Sequence, residues 1–179
     1  MIGTQMQLQE VSDEYREFVE KFKPKKTTDD CYTPDNIYEV VKEWAVDEYD
    51  INPDSIVRPF WPGGDYERFD YTTGCTVLDN PPFSILSQIV RMYLRNDIRF
   101  FLFAPYLTNF ACGNEPRVCH IVCNAPVIYE NGAVVNTCFL TNLDKWKARS
   151  VPELTERIKV VNDQNRKKKN QDCFKTHIP

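Results

Sequence analysis

Apolar residues recur at helical spacing in three stretches of this chain, and a fourth stretch is apolar almost without a break. Leu8, Val11, Tyr15, Phe18, Val19 and Phe22 predict an amphipathic helix over residues 7–22. Thr33, an N-cap residue type, precedes Pro34, which suits the first helical position. A second helix is expected to run from there through Ile37, Val40, Val41 and Trp44. The third carries Ile85, Leu86, Ile89, Val90, Tyr93 and Leu94 on one face, with Arg91 and Arg95 elsewhere. Residues 98–104 read Ile-Arg-Phe-Phe-Leu-Phe-Ala, the pattern of a central parallel strand buried on both faces. Shorter strands are expected at 55–60, 76–78 and 118–122. A hairpin over residues 125–140 would turn on the dipeptide Asn131-Gly132. A polar helix follows Val151-Pro152-Glu153-Leu154 and ends in Arg166-Lys167-Lys168-Lys169. Strands that alternate with helices predict an α/β fold.

Length and composition narrow the picture. A chain of 179 residues fits one domain with a real core. It divides into an N-terminal helix and basic linker (1–27), a main domain (28–150) and a polar C-terminal helix (151–179). The net charge of −4 and pI near 5.3 provide no global basic field. Contact with nucleic acid would therefore fall to local clusters, Lys23-Lys25-Lys26 and Arg166–Lys169. No apolar run approaches bilayer length, and Met1–Gln5 lacks the apolar core of a secretion signal, so a soluble cytoplasmic protein with no membrane partner is expected. The seven cysteines, at 31, 75, 112, 119, 123, 138 and 173, fit reduced thiols. Cys112, Cys119, His120 and Cys123 lack the paired ligand spacing of a zinc site, and no metal is expected.

The most specific chemistry lies in Asp79-Asn80-Pro81-Pro82-Phe83. Consecutive prolines fix φ twice and remove two backbone donors, so the segment must be a rigid loop. It follows the apolar run 76–78 and precedes the third helix, which puts it at the carboxyl end of a strand. Open α/β sheets bind their ligands there. Asn80 supplies an amide oxygen, the prolines supply carbonyls, and Phe83 supplies a flat ring. Together they could grip an exocyclic amine and stack on its heterocycle.

The loop resembles the Asn-Pro-Pro-Phe/Tyr motif of the adenine-N6 (amino) DNA methyltransferases. Two further segments agree in order. Tyr32-Thr33-Pro34 is similar to the segment that opens the helix before the family's first strand. Arg58-Pro59-Phe60-Trp61-Pro62-Gly63-Gly64 aligns with its Asp-Pro-Phe-x-Gly-x-Gly-like cofactor loop. The resemblance covers roughly residues 28–145. It implies a mostly parallel Rossmann-like methyltransferase sheet that finishes in an antiparallel hairpin, and S-adenosylmethionine (SAM) as cofactor. By the same resemblance Asn80, Pro81, Pro82 and Phe83 are the catalytic residues. Tyr32, Thr33, Pro34, Pro59, Phe60, Gly63, Gly64, Asp65 and Asp79 are the cofactor-binding ones. An accessory or phage-borne modification gene is what it suggests.

The chain also departs from the family. Arg58 stands in place of an acid, and Pro62 in place of a glycine. Residues 65–78 are too few for the second and third strands with their helices, since one crossover already takes about a dozen residues. Asp65, Glu67 and Asp70 are the acids left to contact the SAM ribose, unless 65–70 is a plain surface loop. The expected reaction is direct methyl transfer to the adenine N6 amine, with the base flipped out of the duplex. No separate target-recognition domain is expected, so specificity would be loose or supplied by a partner or a second copy. A degenerate fold that binds DNA or protein without catalysis, and transfer to a small-molecule or protein amine, are the other readings of these residues.

Overall fold

The computed structural model describes residues 32–60 and 65–175. The expected helix at 7–22, the basic cluster at 23–26 and the pair Gly63-Gly64 lie outside them. Helix α1 spans Asp35–Tyr49. Strand β1 is Ile56–Val57, β2 is Thr76–Asp79, and helix α2 is Leu86–Arg95. Strands β3 (Arg99–Pro105), β4 (Cys119–Ile128), β5 (Val134–Thr141) and β6 (Ala148–Ser150) follow, and helix α3 runs over Pro152–Lys175. The sheet order is β1-β2-β3-β5-β4-β6. Five strands point the same way and β5 alone is reversed, so the sheet is mixed and mostly parallel.

The unbroken apolar run behaves as its composition predicts. Phe100, Phe101, Leu102, Phe103 and Ala104 are fully buried, because β3 lies between β2 and β5 with both faces covered. One face, through Phe101, Phe103 and Phe139, packs on Ile37, Val41 and Trp44 of α1 and on Leu154 and Ile158 of α3. The other, through Phe100, Leu102 and Leu140, packs on Leu86, Ile89, Val90, Tyr93 and Leu94 of α2, the predicted stripe. Phe139 stacks on Phe101 with ring centroids 4.9 Å apart and meets Phe103 edge-on at 5.0 Å. Such pairs contribute about 0.5–1.5 kcal/mol each beyond area burial.

Several boundaries differ from expectation for local reasons. Pro34, with φ −55° and ψ 138°, holds the cap position of α1, and its carbonyl accepts from the Ile37 and Tyr38 amides. Thr33 is therefore not the N-cap. Its hydroxyl is buried and has no hydrogen-bond partner among the described residues. The strand expected at 55–60 pairs only at Ile56 and Val57, since Pro59 has no N–H and the chain turns there toward β2. The strands expected separately before and after residue 124 are one strand, β4, whose register shifts between Ile121 and Ala125. Asn124 sits in that irregularity at φ 46°, a left-handed conformation that Asn tolerates better than most residues.

The hairpin turn is also one residue longer than the dipeptide suggested. Tyr129 N–H donates to Ala133 O, enclosing Glu130, Asn131 and Gly132. Gly132 has φ 84°, and Asn131 is not in the positive-φ region. The two-residue type I′ turn needs positive φ at both central positions. A three-residue turn closed by a left-handed glycine needs it at one. The hairpin is not the sheet's edge either, because β6 pairs outside β4 through His120, Ile121 and Val122. Beyond β6, Asn162 of α3 satisfies the exposed rim of β4, donating to Pro126 O and accepting from Ile128 N.

Candidate functional site

Because β1, β2, β3 and β4 all point the same way, their carboxyl ends share one rim. Four segments meet on it: Arg58–Phe60 after β1, Asn80–Phe83 after β2, Tyr106–Cys112 after β3, and the hairpin tip after β4. The start of α1 joins them. Tyr38 donates its hydroxyl to Leu78 O in β2 (3.0 Å), and the Glu130 amide at the hairpin tip donates to Tyr32 O (3.1 Å).

Asp79, the last residue of β2, is 2% exposed and organises the centre of this rim. Its Oδ2 accepts from the Phe60 amide at 2.8 Å. Its Oδ1 accepts from the Asn80 amide at 2.9 Å and faces Arg58 Nε at 3.4 Å. Arg58 lies over the Tyr38 ring, 3.8 Å from guanidinium carbon to centroid. Burial pushes the Asp79 carboxyl above the usual aspartate range, and the two amides and Arg58 pull against that rise. Burial likewise raises the Tyr38 phenol far above its ordinary value and keeps it neutral.

The loop that follows is half-covered. Pro81 is buried, and Asn80, Pro82 and Phe83 are partly exposed. Pro82 caps a short 3-10 turn over Phe83–Ile85, and its carbonyl accepts from the Ile85 amide at 3.3 Å. The Phe83 ring rests partly on the α1-side core. On the facing loop, Pro59 is buried and Phe60 partly exposed, with the Phe60 ring 5.3 Å from that of Tyr66.

Residues 65–75 hold neither strand nor helix. Yet this interval is not a loose polar loop. Tyr71 donates to Tyr66 O at 2.8 Å, meets the Tyr93 hydroxyl at 3.1 Å, and packs tilted against Phe69 and edge-on against Tyr93. An aromatic plug therefore closes the sheet beside β1 on the α2 side. Asp65 is exposed and turned back on its own segment, accepting from the Glu67 amide at 3.0 Å. Tyr32 is also exposed, and Thr33 is buried.

The described residues thus bring Tyr32–Pro34, Pro59–Phe60 and Asp79–Phe83 to one end of the sheet, with Asp65 on the segment that leaves it. Arg58 and Tyr38 belong to the same cluster, although sequence patterns did not single them out as site residues. The signal for Tyr38 was available in its place one turn into the helix that Pro34 opens. A further surface lies beside the cluster, where Leu107 (94% exposed) and Phe110 (58%) stand on the turn after β3. Phe110 packs over the buried His120 ring at 4.8 Å.

Burial pushes the Cys119 thiol up to about 12 and that of Cys123 to about 11, so neither is an activated nucleophile. Cys119 faces the α1-side core while His120 faces Phe110 on the opposite side. Among the described residues no group of three or more His, Cys, Asp or Glu side chains is placed to hold a metal ion, and no helix is long and apolar enough to cross a membrane. No protein-family model, no curated protein and no solved structure matches this chain.

Proposed function

We propose that the protein transfers a methyl group from SAM to the N6 amine of adenine in DNA, on a Rossmann-like methyltransferase sheet trimmed in its cofactor half. One observation carries this reading. Asn80-Pro81-Pro82-Phe83 leaves the carboxyl end of a parallel strand directly beside the loop that leaves β1, and Asp79 bonds the two together.

Tyr32, Thr33, Pro34, Pro59 and Phe60, at this end of the sheet, would hold the cofactor, and Thr33 has a buried hydroxyl without a partner among the described residues. Asp65, which is exposed, and Gly63 and Gly64, which lie outside the described residues, would complete the set, while Asp79, expected in it from the resemblance, has both oxygens engaged by Phe60, Asn80 and Arg58. Bound there, SAM supplies an electrophilic methyl group on a sulfonium. The N6 amine is a poor nucleophile, because its lone pair is delocalised into the purine ring. The Asn80 side-chain oxygen and the Pro81 carbonyl accept its two hydrogens, which draws the nitrogen toward tetrahedral geometry and frees the lone pair. Pro82 plays no such part, since its carbonyl is engaged by Ile85. Phe83 stacks on the extruded base. As the S–CH3 bond breaks and the N–CH3 bond forms, S-adenosylhomocysteine would leave and one of the two N6 hydrogens would depart as a proton to water; positioning and electrostatics suffice, with no covalent intermediate.

A second reading is favoured by the interval 65–75, where the elements that would carry a ribose-binding acid are absent from the described residues. It is a binding protein on a degenerate methyltransferase fold. Calorimetric titration with SAM, followed by tritiated-methyl transfer to mixed-sequence DNA, separates the two. Methylation retained by the native chain and abolished by Asn80→Ala is expected. No heat at millimolar SAM would transfer the conclusion to the binding protein. A second copy of the chain or a specificity partner would raise the methylation rate, because an acidic chain binds DNA weakly by itself.

A further inference from the structure

We propose that Asp79 is the positioning residue of this rim, joining the loops after β1 and β2 into one clasp and setting the pose of Asn80 without touching a ligand. The inference rests on the proposed function only in the task it gives Asn80. The clasp itself rests on the bonds made by Asp79.

Both carboxylate oxygens are engaged from inside the protein, one by the Phe60 amide and the other by the Asn80 amide and Arg58. At 2% exposure the side chain has no face left for a ligand. The two amides sit where ladder pairing stops, because β1 pairs with β2 only at Ile56 and Val57. Each needs an acceptor, and one carboxylate serves both. The clasp is braced from behind. Arg58 stacks on Tyr38, and Tyr38 bonds Leu78 O, the residue before Asp79. Moving either loop would therefore break contacts to α1, β1 and β2 together.

The groups facing Asp79 define what a titration reports. They are Arg58 from the β1 loop, Tyr38 from α1, Tyr71 from the aromatic plug and Tyr93 from α2. Burial holds all three phenols neutral through the accessible pH range, so Arg58 is the charged neighbour among them. A pH-dependent change in both loops at once then belongs to the Asp79 carboxyl.

The test is nuclear magnetic resonance on the full chain, with no cofactor. In the native protein the Phe60 and Asn80 amide shifts should titrate together, with one midpoint above the ordinary aspartate range. In Asp79→Asn that titration should vanish, because the amide side chain keeps one acceptor and turns an NH2 toward donors. Exchange of both amides should then rise about tenfold or more, while the Leu102 and Phe103 amides stay unchanged. Separate midpoints in the native chain, or faster exchange at Asn80 alone, would overturn the clasp. The native titration decides the matter even if the variant fails to fold.

A kinetic arm addresses the positioning role. In Asp79→Asn, kcat should fall about 100-fold, the cost of a misplaced reacting group, with KM for SAM within about twofold. A large rise in KM at unchanged kcat would make Asp79 a cofactor ligand and refute the proposal. A native chain that transfers no methyl group refutes the proposed function and leaves the clasp to the resonance data.

Discussion

In the half of the sheet built from β3, β5 and β4, strands of seven, eight and ten residues lie side by side and bury rings against rings. In the half built from β1 and β2, strands of two and four residues meet, and much of the joining falls to one carboxylate. Apolar packing is non-directional, so the first half tolerates small displacements. Hydrogen bonds at a buried acceptor depend steeply on geometry, so the second half holds one arrangement or loses it. The candidate site stands on the second half. Its precision comes from directional bonds, and its support from the packed half alongside.

The comparison is tested most severely by Phe139→Ala, which removes a fully buried ring that touches both Phe101 and Phe103. A loss of about 3–5 kcal/mol is expected in denaturant unfolding. Asp79→Ala should cost less, about 2–3 kcal/mol, mainly by leaving the Phe60 and Asn80 amides without their acceptor. If the Asp79 variant proved the more damaging, the division of labour between the halves would be reversed.

Smaller still is the pH dependence of stability. Asp79 is raised in the folded state by burial, so folding binds its proton more tightly than the unfolded chain does. Its contribution is fully present below the unfolded value near pH 4 and is lost as pH rises through the folded value. Native stability minus that of Asp79→Asn should therefore decline across that window, as measured by unfolding at a series of pH values. A difference that grows with pH would mean the bonded amides and Arg58 outweigh burial. The smallest effect on stability belongs to Asn80→Ala, about 1 kcal/mol, because the residue is partly exposed on a loop even though its side-chain oxygen is buried. Thermal unfolding should hardly register this change, while methyl transfer disappears.

Much of the packed half was legible beforehand. The stripe Leu86, Ile89, Val90, Tyr93, Leu94 and the run Phe100–Ala104 are strong periodic signals, and both ended where burial put them. The proline loop was legible too, because two prolines after an apolar run leave few conformations. Short-range chemistry was harder. β6 is three residues with mostly exposed side chains and exists only because β4 has an open edge there. The continuity of β4 through Asn124 depends on a register shift that no periodicity encodes. The pairing of Arg58 with Asp79 spans 21 positions, and nothing local to either residue announces the other. Such contacts belong to the assembled fold. Gly63 and Gly64, outside the described residues, still rest on sequence alone.

The reversed strand β5 has a consequence during synthesis. It lies between β3 and β4, yet it is made after both. While residues 134–141 remain inside the ribosome, β3 has β2 on one side and a bare row of amides and carbonyls on the other. That row is flanked by Phe100, Phe101 and Phe103, so a stalled or truncated chain is a template for joining its neighbours. That exposure lasts until enough chain has been added beyond Thr141 for β5 to leave the ribosome, so a pause while α3 is being made should lower the yield of native protein more than one before Thr141.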